Sequence, residues 1–279
     1  MLLAASGLAR EAAQAQSPPR GGRLKQGVTA GVFDPKMPFE AQCRLAADLG
    51  CVGFDLVQPR DWPVLKNYGL TPTMDPDNGG VTIPDGLNRK ENHDRFEQAI
   101  RPAIDRCAAG GCPNLITFSG NRRGMPDAEG ADNCVAFLNR IKAQAEDKGV
   151  TVCLELLNST VNHKDYMCDH TAWGVDVVKR VNSPRIKLLY DIYHMQIMEG
   201  DISRTIADNF QWIGHFHTGG VPGRHEIDDT QELNYRFVAK TIADLGYTGY
   251  VSHEYRPAPG RDPAASLKQA IDIMAVGAQ

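Results

Sequence analysis

The sequence TVCLE at residues 151–155 joins a short apolar run to a carboxylate at its end. Three later stretches repeat this arrangement, each closed by a residue of a metal-ligand type: IKLLYD at 186–191, WIGHFH at 212–217 and YVSHE at 250–254. Short apolar runs of this kind predict buried strands. Their ends are 36, 26 and 37 residues apart, which is about the length of one strand plus one helix. The pattern therefore predicts four consecutive βα units of a parallel sheet.

The rest of the chain supplies four more units of the same kind. Apolar runs that predict strands lie at residues 26–33, 51–57, 70–74 and 114–120. Amphipathic stretches that predict helices lie at 38–49, 61–68, 88–109, 127–148, 171–181, 203–210, 233–245 and 264–275, and Pro102 is expected to kink or split the third. Eight alternating units predict a single (β/α)8 TIM barrel over residues 23–279. A doubly wound open sheet is the alternative, but no glycine-rich dinucleotide fingerprint follows the first strand.

The four ligand-type residues at the strand ends are Glu155, Asp191, His217 and Glu254. All strands of a barrel end at its C-terminal mouth, so these side chains are expected to meet there. Neighbouring carboxylates repel and raise one another's pKa, and a divalent cation removes that repulsion. Because the set contains no thiolate, it favours Mn²⁺, Mg²⁺ or Co²⁺ over structural zinc. The sequence therefore predicts one divalent metal ion at the mouth.

Side chains alternate along a strand, so the residue two before each ligand also faces the barrel interior. These residues are Cys153, Leu189, His215 and Ser252, which are neutral and mostly small. We expect them to fill the next interior layer. His215 is expected there as a buried, hydrogen-bonded side chain and not as a metal ligand.

Longer segments around these strand ends narrow the function. Residues 190–200 read YDIYHMQIMEG, residues 214–235 contain GHFH, PGRHE and ELNY, and residues 253–255 read HEY with Pro257 close behind. In that order, they resemble the sixth-strand motif, the following stretch and the closing Cys-Glu-Tyr-Lys-Pro segment of the hydroxypyruvate isomerase family. The similarity covers roughly residues 27–275. It implies the xylose-isomerase-like barrel, shared with ketose 3-epimerases, and one divalent metal held by the same four residues.

The resemblance also implies roles for individual residues. One of Glu155 and Glu254 would remove the proton from the hydroxyl-bearing carbon, and the other would deliver one to the neighbouring carbon. His194 would touch the substrate oxygen next to the reacting carbon. Arg224 would bind a substrate carboxylate or hydroxyls, and Asn158 fits the family pattern Glu-x-x-Asn at the substrate site. The alternatives are a helix cap or a support behind the metal for His194, and a loop salt bridge to Glu226 or Asp228 for Arg224.

The implied reaction is the metal-dependent interconversion of hydroxypyruvate and 2-hydroxy-3-oxopropanoate through an enediolate. The well-known hydroxypyruvate isomerases have Gln where His217 stands, whereas the sugar epimerases have His there. The epimerases also place a Glu six residues after the first metal Glu, where this chain has Val161. A ketose 3-epimerase acting on a small sugar is therefore one alternative, and a non-catalytic sugar- or metal-binding barrel is another. The expected partner is a small hydroxy-keto acid or ketose.

Composition argues against nucleic-acid-binding, membrane-spanning and disulfide-rich proteins. A net charge of −4 and a pI near 6.1 give no basic footprint, so nucleic acid is not an expected partner. No apolar run approaches the ~18 residues of a membrane span. The seven cysteines are odd in number and contain no Cys-x-x-Cys pair, so we expect free thiols, which favours the cytoplasm. Nothing in the sequence decides between a monomer and a homo-oligomer.

The N-terminal segment, in contrast to the cysteines, has features of an exported protein. Residues 2–9 are apolar, Ala13-Gln14-Ala15 fits a small-x-small cleavage site, and residues 17–22 have the composition of a linker. This resembles the back half of an export signal. Residues 1–22 are therefore expected to lie outside the barrel, either as such a signal or as a disordered tail, and export stays open.

Overall fold

The computed structural model of the protein describes residues 22–277. An eight-stranded parallel sheet forms its centre, and the strands are β1 (Lys25–Thr29), β2 (Gly53–Asp55), β3 (Thr71–Pro72), β4 (Asn114–Thr117), β5 (Thr151–Glu155), β6 (Ile186–Asp191), β7 (Ile213–Thr218) and β8 (Tyr250–His253). Their order is β3-β2-β1-β8-β7-β6-β5-β4, with every paired neighbour parallel.

The two ends of this strand order also meet. The backbone N–H of Asp75 donates to the carbonyl of Asn114 at 2.9 Å, and the N–H of Ile116 donates to the carbonyl of Asp75 at 3.2 Å. The side-chain amide of Asn114 donates to the carbonyl of Thr73 at 2.8 Å. These bonds form a parallel bridge between Asp75 and Leu115, so the sheet closes on itself. The predicted (β/α)8 TIM barrel is confirmed.

Nine α-helices connect and surround the strands within the described residues. They are α1 (Phe39–Leu49), α2 (Trp62–Lys66), α3 (His93–Gly110), α4 (Asp127–Lys148), α5 (Thr171–Val181), α6 (Ile192–Met198), α7 (Ile202–Asn209), α8 (Tyr235–Asp244) and α9 (Pro263–Met274). Two of the predicted helices, at 127–148 and 171–181, have the observed bounds. No helix between residues 22 and 277 has the length and apolarity that crossing a bilayer requires.

Two local predictions differ from the structure. Helix α3 runs unbroken through Pro102, so the predicted split does not occur. Proline removes one backbone hydrogen bond, but Phe96, Ile100 and Ile104 on the same helix are fully buried, and their packing holds the helix together. Helix α6 was not predicted. It starts directly after β6 because the Asp191 side chain caps it, accepting the backbone N–H of His194 at 3.1 Å.

The barrel interior follows the predicted alternation. Cys153 and Leu189 form an apolar layer with Met74 and Ile116 beneath the mouth. All seven cysteines are buried and free, as expected. At the lower end of the barrel Gly22 pairs with Val276, and the other residues of the predicted N-terminal segment lie outside the described part of the chain.

Candidate metal centre and substrate site

The carboxyl ends of β5 to β8 bring the four predicted ligands together. One ligand-type atom each from Glu155, Asp191, His217 and Glu254 lies within 4.8 Å of the others. A cation at ~2.0–2.4 Å from each atom would place opposite ligand atoms at most about 4.8 Å apart. The spacing therefore fits one divalent cation bound by all four residues.

The Nδ1 atom of His217 gives a second test of the fit. It is buried and has no hydrogen-bond partner among residues 22–277. It lies 2.6 Å from Glu254 Oε2 without hydrogen-bond alignment, 3.7 Å from Glu155 Oε1 and 4.0 Å from Asp191 Oδ2. A buried nitrogen that faces three carboxylate oxygens has the environment of a metal ligand.

Asp55, at the end of β2, orients this histidine, and it was missed in the sequence. Its Oδ2 accepts the Nε2–H of His217 at 2.9 Å and the Nε2–H of His215 at 2.6 Å. Both distances are those of charge-assisted hydrogen bonds. His215 is therefore the buried, hydrogen-bonded residue that was expected. Although burial opposes it, the two imidazoles hold the pKa of Asp55 below its usual value. The sequence pattern that could have pointed to Asp55 was weak, because β2 is only three residues long.

The two glutamates differ in environment. The Glu155 side chain is 7% exposed, and burial raises the pKa of its carboxyl to about 7. The Glu254 side chain is 24% exposed, and the positive charges of His217 and Arg224 outweigh burial and hold its pKa below the usual value. Without a bound cation, the Glu155 carboxyl thus keeps its proton to a higher pH than the Glu254 carboxyl does. Because of its exposure, Glu254 is the predicted ligand that faces solvent.

His194 lies beside the ligands, and Asn158 lies behind it. The backbone N–H groups of Val161 and Asn162 donate to Asn158 Oδ1 at 3.1 and 2.8 Å, which turns Asn158 Nδ2 toward His194. Nδ2 and the backbone N–H of Asn158 then donate to His194 Nδ1 at 2.6 and 3.2 Å. Because Nδ1 accepts these bonds, the ring proton is assigned to Nε2.

The Nε2–H of His194 is therefore available for another molecule. Nε2 is buried, lies 3.8 Å from Asp191 Oδ2 and has no hydrogen-bond partner in the described chain. Burial and the nearby Arg224 hold the pKa of His194 well below its usual value, so the ring is neutral. The ring of His163, from the loop after β5, lies 5.2 Å from the His194 ring.

Arg224 reaches into the same cluster from the loop after β7. Its Nη2 lies 2.5 Å from Asp191 Oδ2 and 2.7 Å from Glu254 Oε2, and its Nε donates to the Glu254 carbonyl at 3.1 Å. Its guanidinium lies 5.2 Å from the ring centroid of Tyr193. The backbone of Arg224 has a φ of +57°, a left-handed conformation that costs a non-glycine residue about 1 kcal/mol or more.

The alternative ion pair from Arg224 to Glu226 or Asp228 is not what the structure contains. Both carboxylates pair with Arg261 instead. All of the predicted site residues thus lie at one mouth of the barrel. Asn158 contacts His194 and also Asn162, which lies in the loop after Asn158.

Comparison with known proteins agrees with this architecture. A family model described as a xylose isomerase-like TIM barrel matches residues 43–275. Among solved structures, a family 2 AP endonuclease from Brucella melitensis superposes with a TM-score of 0.76 at 26% identity, covering 88% of this chain and 96% of that one.

Two curated relatives carry isomerase names. A putative hydroxypyruvate isomerase of Xenopus laevis is 28% identical over 169 residues, or 59% of this chain and 62% of that protein. A 2-oxo-tetronate isomerase of Pectobacterium atrosepticum is 25% identical over 234 residues, or 79% of this chain and 87% of that protein. The match to the Xenopus protein thus spans about three fifths of its length.

Proposed function

This chain belongs to the xylose isomerase-like TIM barrel family, and we propose that it is a metal-dependent isomerase that interconverts hydroxypyruvate and 2-hydroxy-3-oxopropanoate. The observation that carries the proposal is the cluster of Glu155, Asp191, His217 and Glu254, whose ligand atoms lie within 4.8 Å of one another. The isomerase names of the two relatives, both for enzymes of small oxo acids, support the reaction class.

The four clustered residues would hold one divalent cation. When bound, the cation supplies positive charge that stabilises negative charge developing on neighbouring substrate oxygens. Mn²⁺, Mg²⁺ and Co²⁺ suit this oxygen-rich donor set with its single imidazole. Asp55 keeps the proton of His217 on Nε2, so Nδ1 offers a lone pair to the cation.

The chain's own groups move the protons. Glu254, which favours the ionised form, takes a proton from the hydroxyl-bearing carbon of hydroxypyruvate, and the electron pair left behind forms the enediolate. Glu155 delivers a proton to the neighbouring carbon, and the hydroxyl proton of the substrate passes to the former carbonyl oxygen, so the product has the same number of protons as the substrate. Exchange with solvent then returns a proton to Glu155 and removes one from Glu254. The Nε2–H of His194 donates to the substrate oxygen where negative charge develops. Arg224 binds the substrate carboxylate.

A ketose 3-epimerase acting on a small sugar is the second candidate, and His217 favours it because the resembling epimerases have His at this position. Val161 stands against it. Its side chain is 67% exposed in the loop after β5 and offers no carboxylate where those epimerases have one. The two candidates share the metal and the acid and base pair, and they differ in the substrate.

Hydrogen exchange separates both candidates from a non-catalytic barrel. Proton NMR in deuterated water would follow hydroxypyruvate, 2-oxo-tetronate and small ketoses with metal-stripped enzyme and with Mg²⁺-loaded enzyme. We expect metal-dependent loss of the signal from the hydroxyl-bearing carbon of hydroxypyruvate, together with formation of the aldehyde isomer. Faster exchange in ketoses would favour the epimerase, and metal binding without exchange in any compound would leave a binding protein.

A further inference from the structure

A cavity of about 360 Å³ opens beside Glu254, between the ends of β1 and β8 and the loop after β7. Its walls include Thr29, Leu56, Arg224 and Arg256. The volume lies in the range typical of small-molecule sites, ~300–1,000 Å³. Because Glu254 is the ligand that faces solvent, this cavity is where a substrate held at the cluster extends away from its reacting carbons.

The charges around the cavity are mainly positive. Arg224 and Arg256 line it, and its one lining carboxylate, Glu254, is paired with Arg224. A bound group at this end of the site therefore faces basic side chains with little negative charge left to oppose it. Carboxylates are the substrate groups that such a lining attracts.

Arg256 differs from every other arginine between residues 22 and 277. Its side chain is exposed and has no hydrogen bond, ion pair or ring contact within that range. Each of the other arginines there has at least one such partner. Its five N–H donors are thus free for a ligand.

The backbone holds Arg256 next to Arg224. The N–H of Arg256 donates to the carbonyl of Arg224 at 3.0 Å, and Nδ1 of His225 donates to the carbonyl of Arg256 at 2.8 Å. Arg224 uses Nε and Nη2 on Glu254 and Asp191, so within the described chain its Nη1 has no hydrogen-bond partner. Two arginine donors therefore line one cavity, and one of them is already engaged with the metal ligands.

We propose that Arg256 is a substrate-binding residue that, with Nη1 of Arg224, holds the carboxylate of a short hydroxy-keto acid in this cavity. This rests on the proposed function and adds a residue that selects acids over neutral ketoses. Arg224 connects the carboxylate to the reacting cluster, and Arg256 supplies the unpaired positive charge. A neutral ketose of the same length gains no ion pair from it.

The test uses a matched pair of substrates with the metal-loaded full chain. Hydroxypyruvate and dihydroxyacetone differ only by a carboxylate in place of a hydroxymethyl group, and both have an aldose–ketose isomer. We expect Arg256→Gln to raise KM for hydroxypyruvate about tenfold, with kcat within about threefold and KM for dihydroxyacetone unchanged. Arg256→Lys should recover part of the loss. The control is Arg204→Gln, because Arg204 on α7 is 76% exposed and pairs only with surface charge.

Ionic strength gives a readout that a structural role would not change. Added salt should raise KM for hydroxypyruvate in the wild type and much less in Arg256→Gln, because screening weakens an exposed ion pair. Equal KM changes for both substrates, or no change for either, would overturn the assignment.

Failure of the proposed function would be distinguishable from failure of this inference. If the wild type turns over neither compound, the isomerase proposal is wrong, and calorimetric binding of hydroxypyruvate to wild type and Arg256→Gln decides the role of Arg256. Weaker binding in the variant would sustain it, whereas equal binding or none would overturn it.

Discussion

Asp55 Oδ2 lies 2.9 Å from His217 Nε2, and this contact decides which nitrogen of the histidine faces the three carboxylates. A carboxylate can only accept, so Nε2 keeps its proton and Nδ1 presents its lone pair. Asp55 accepts a bond from His215 as well and is buried, so it has little freedom to move. The proposed metal site thus depends on Asp55, which is not one of the four predicted ligands.

Replacing Asp55 by Asn should weaken metal binding about 10- to 100-fold, the usual cost of losing a partner behind a ligating histidine. The amide keeps the shape but loses the charge, and it has one acceptor oxygen where Asp55 uses two. Oδ2 of Asp55 accepts from both histidines and Oδ1 accepts the backbone N–H of Leu56 at 3.0 Å, so the NH₂ group of Asn would face a donor. Titration calorimetry with Mn²⁺ would measure the change. Asp61→Asn, at a surface carboxylate, is the control. An unchanged Kd in Asp55→Asn would show that Asp55 does not orient the ligand.

Metal affinity should rise with pH between 6 and 8. In the metal-free protein, burial raises the pKa of Glu155 to about 7, and Glu254 and Asp55 hold the pKa of His217 above its usual value despite burial. At pH 6 both groups therefore hold protons that a cation has to displace. Each proton released makes affinity up to tenfold tighter per pH unit.

Calorimetry of Mn²⁺ binding in two buffers with different ionisation enthalpies would count the protons released. We expect at least one proton at pH 6 and fewer at pH 8. A Kd that stays constant across this range would mean that Glu155 and His217 are already deprotonated before the metal arrives.

The clustering of Glu155, Asp191, His217 and Glu254 was predictable because each of these residues closes a strand of recognisable pattern. Parallel strands of a barrel share one mouth, so positions 36, 26 and 37 residues apart in the chain become neighbours in space. The helix at 127–148 was predictable for a similar reason, since its apolar face repeats over six turns and a glycine follows it.

Other features depend on contacts that no local pattern records. Asp55 ends a three-residue strand, and its partners His215 and His217 lie 160 and 162 residues away in sequence. Helix α6 has only seven residues, and it forms because Asp191 caps it where the barrel already holds that side chain. That the Arg256 side chain has no partner among residues 22–277 depends on how the loops pack around it, which the sequence does not record. Tertiary packing, not periodicity, decides such features.

Removing the Asp191 carboxylate should cost both metal and local stability. Asp191→Ala loses a ligand and the cap on α6, whereas Asp191→Asn loses the charge but keeps a capping side chain. We expect both purified variants to retain much less than one equivalent of Mn²⁺ by elemental analysis. In the presence of EDTA, Asp191→Ala should be less stable than Asp191→Asn by about 0.5–2 kcal/mol. Stoichiometric metal in Asp191→Ala would refute the ligand assignment.

Glu254→Gln should leave the fold intact and abolish proton transfer. An amide cannot take a proton from carbon at neutral pH, and a general base contributes roughly 10²–10⁴-fold. The rate of deuterium incorporation into hydroxypyruvate, measured at saturating metal, isolates this step from any change in metal affinity. Glu232→Gln is the matched control because Glu232 is exposed in the loop after β7. Activity of Glu254→Gln within tenfold of wild type would exclude Glu254 as the base.

Arg224→Lys tests whether Arg224, in the loop after β7, binds the substrate carboxylate. Arg224 contacts two predicted ligands through Nη2, and its Nη1 faces no partner in the described chain. Lysine keeps the charge but cannot bridge Asp191 and Glu254 while also donating to a carboxylate. At saturating metal, kcat/KM for hydroxypyruvate should fall by a factor that corresponds to about 1–3 kcal/mol of lost binding free energy. Dihydroxyacetone should lose less, because its hydroxyls need only one donor at a time. Equal losses on both substrates would mean that Arg224 only supports the ligands, and larger losses on ketoses, with faster turnover of them by the wild type, would favour the epimerase.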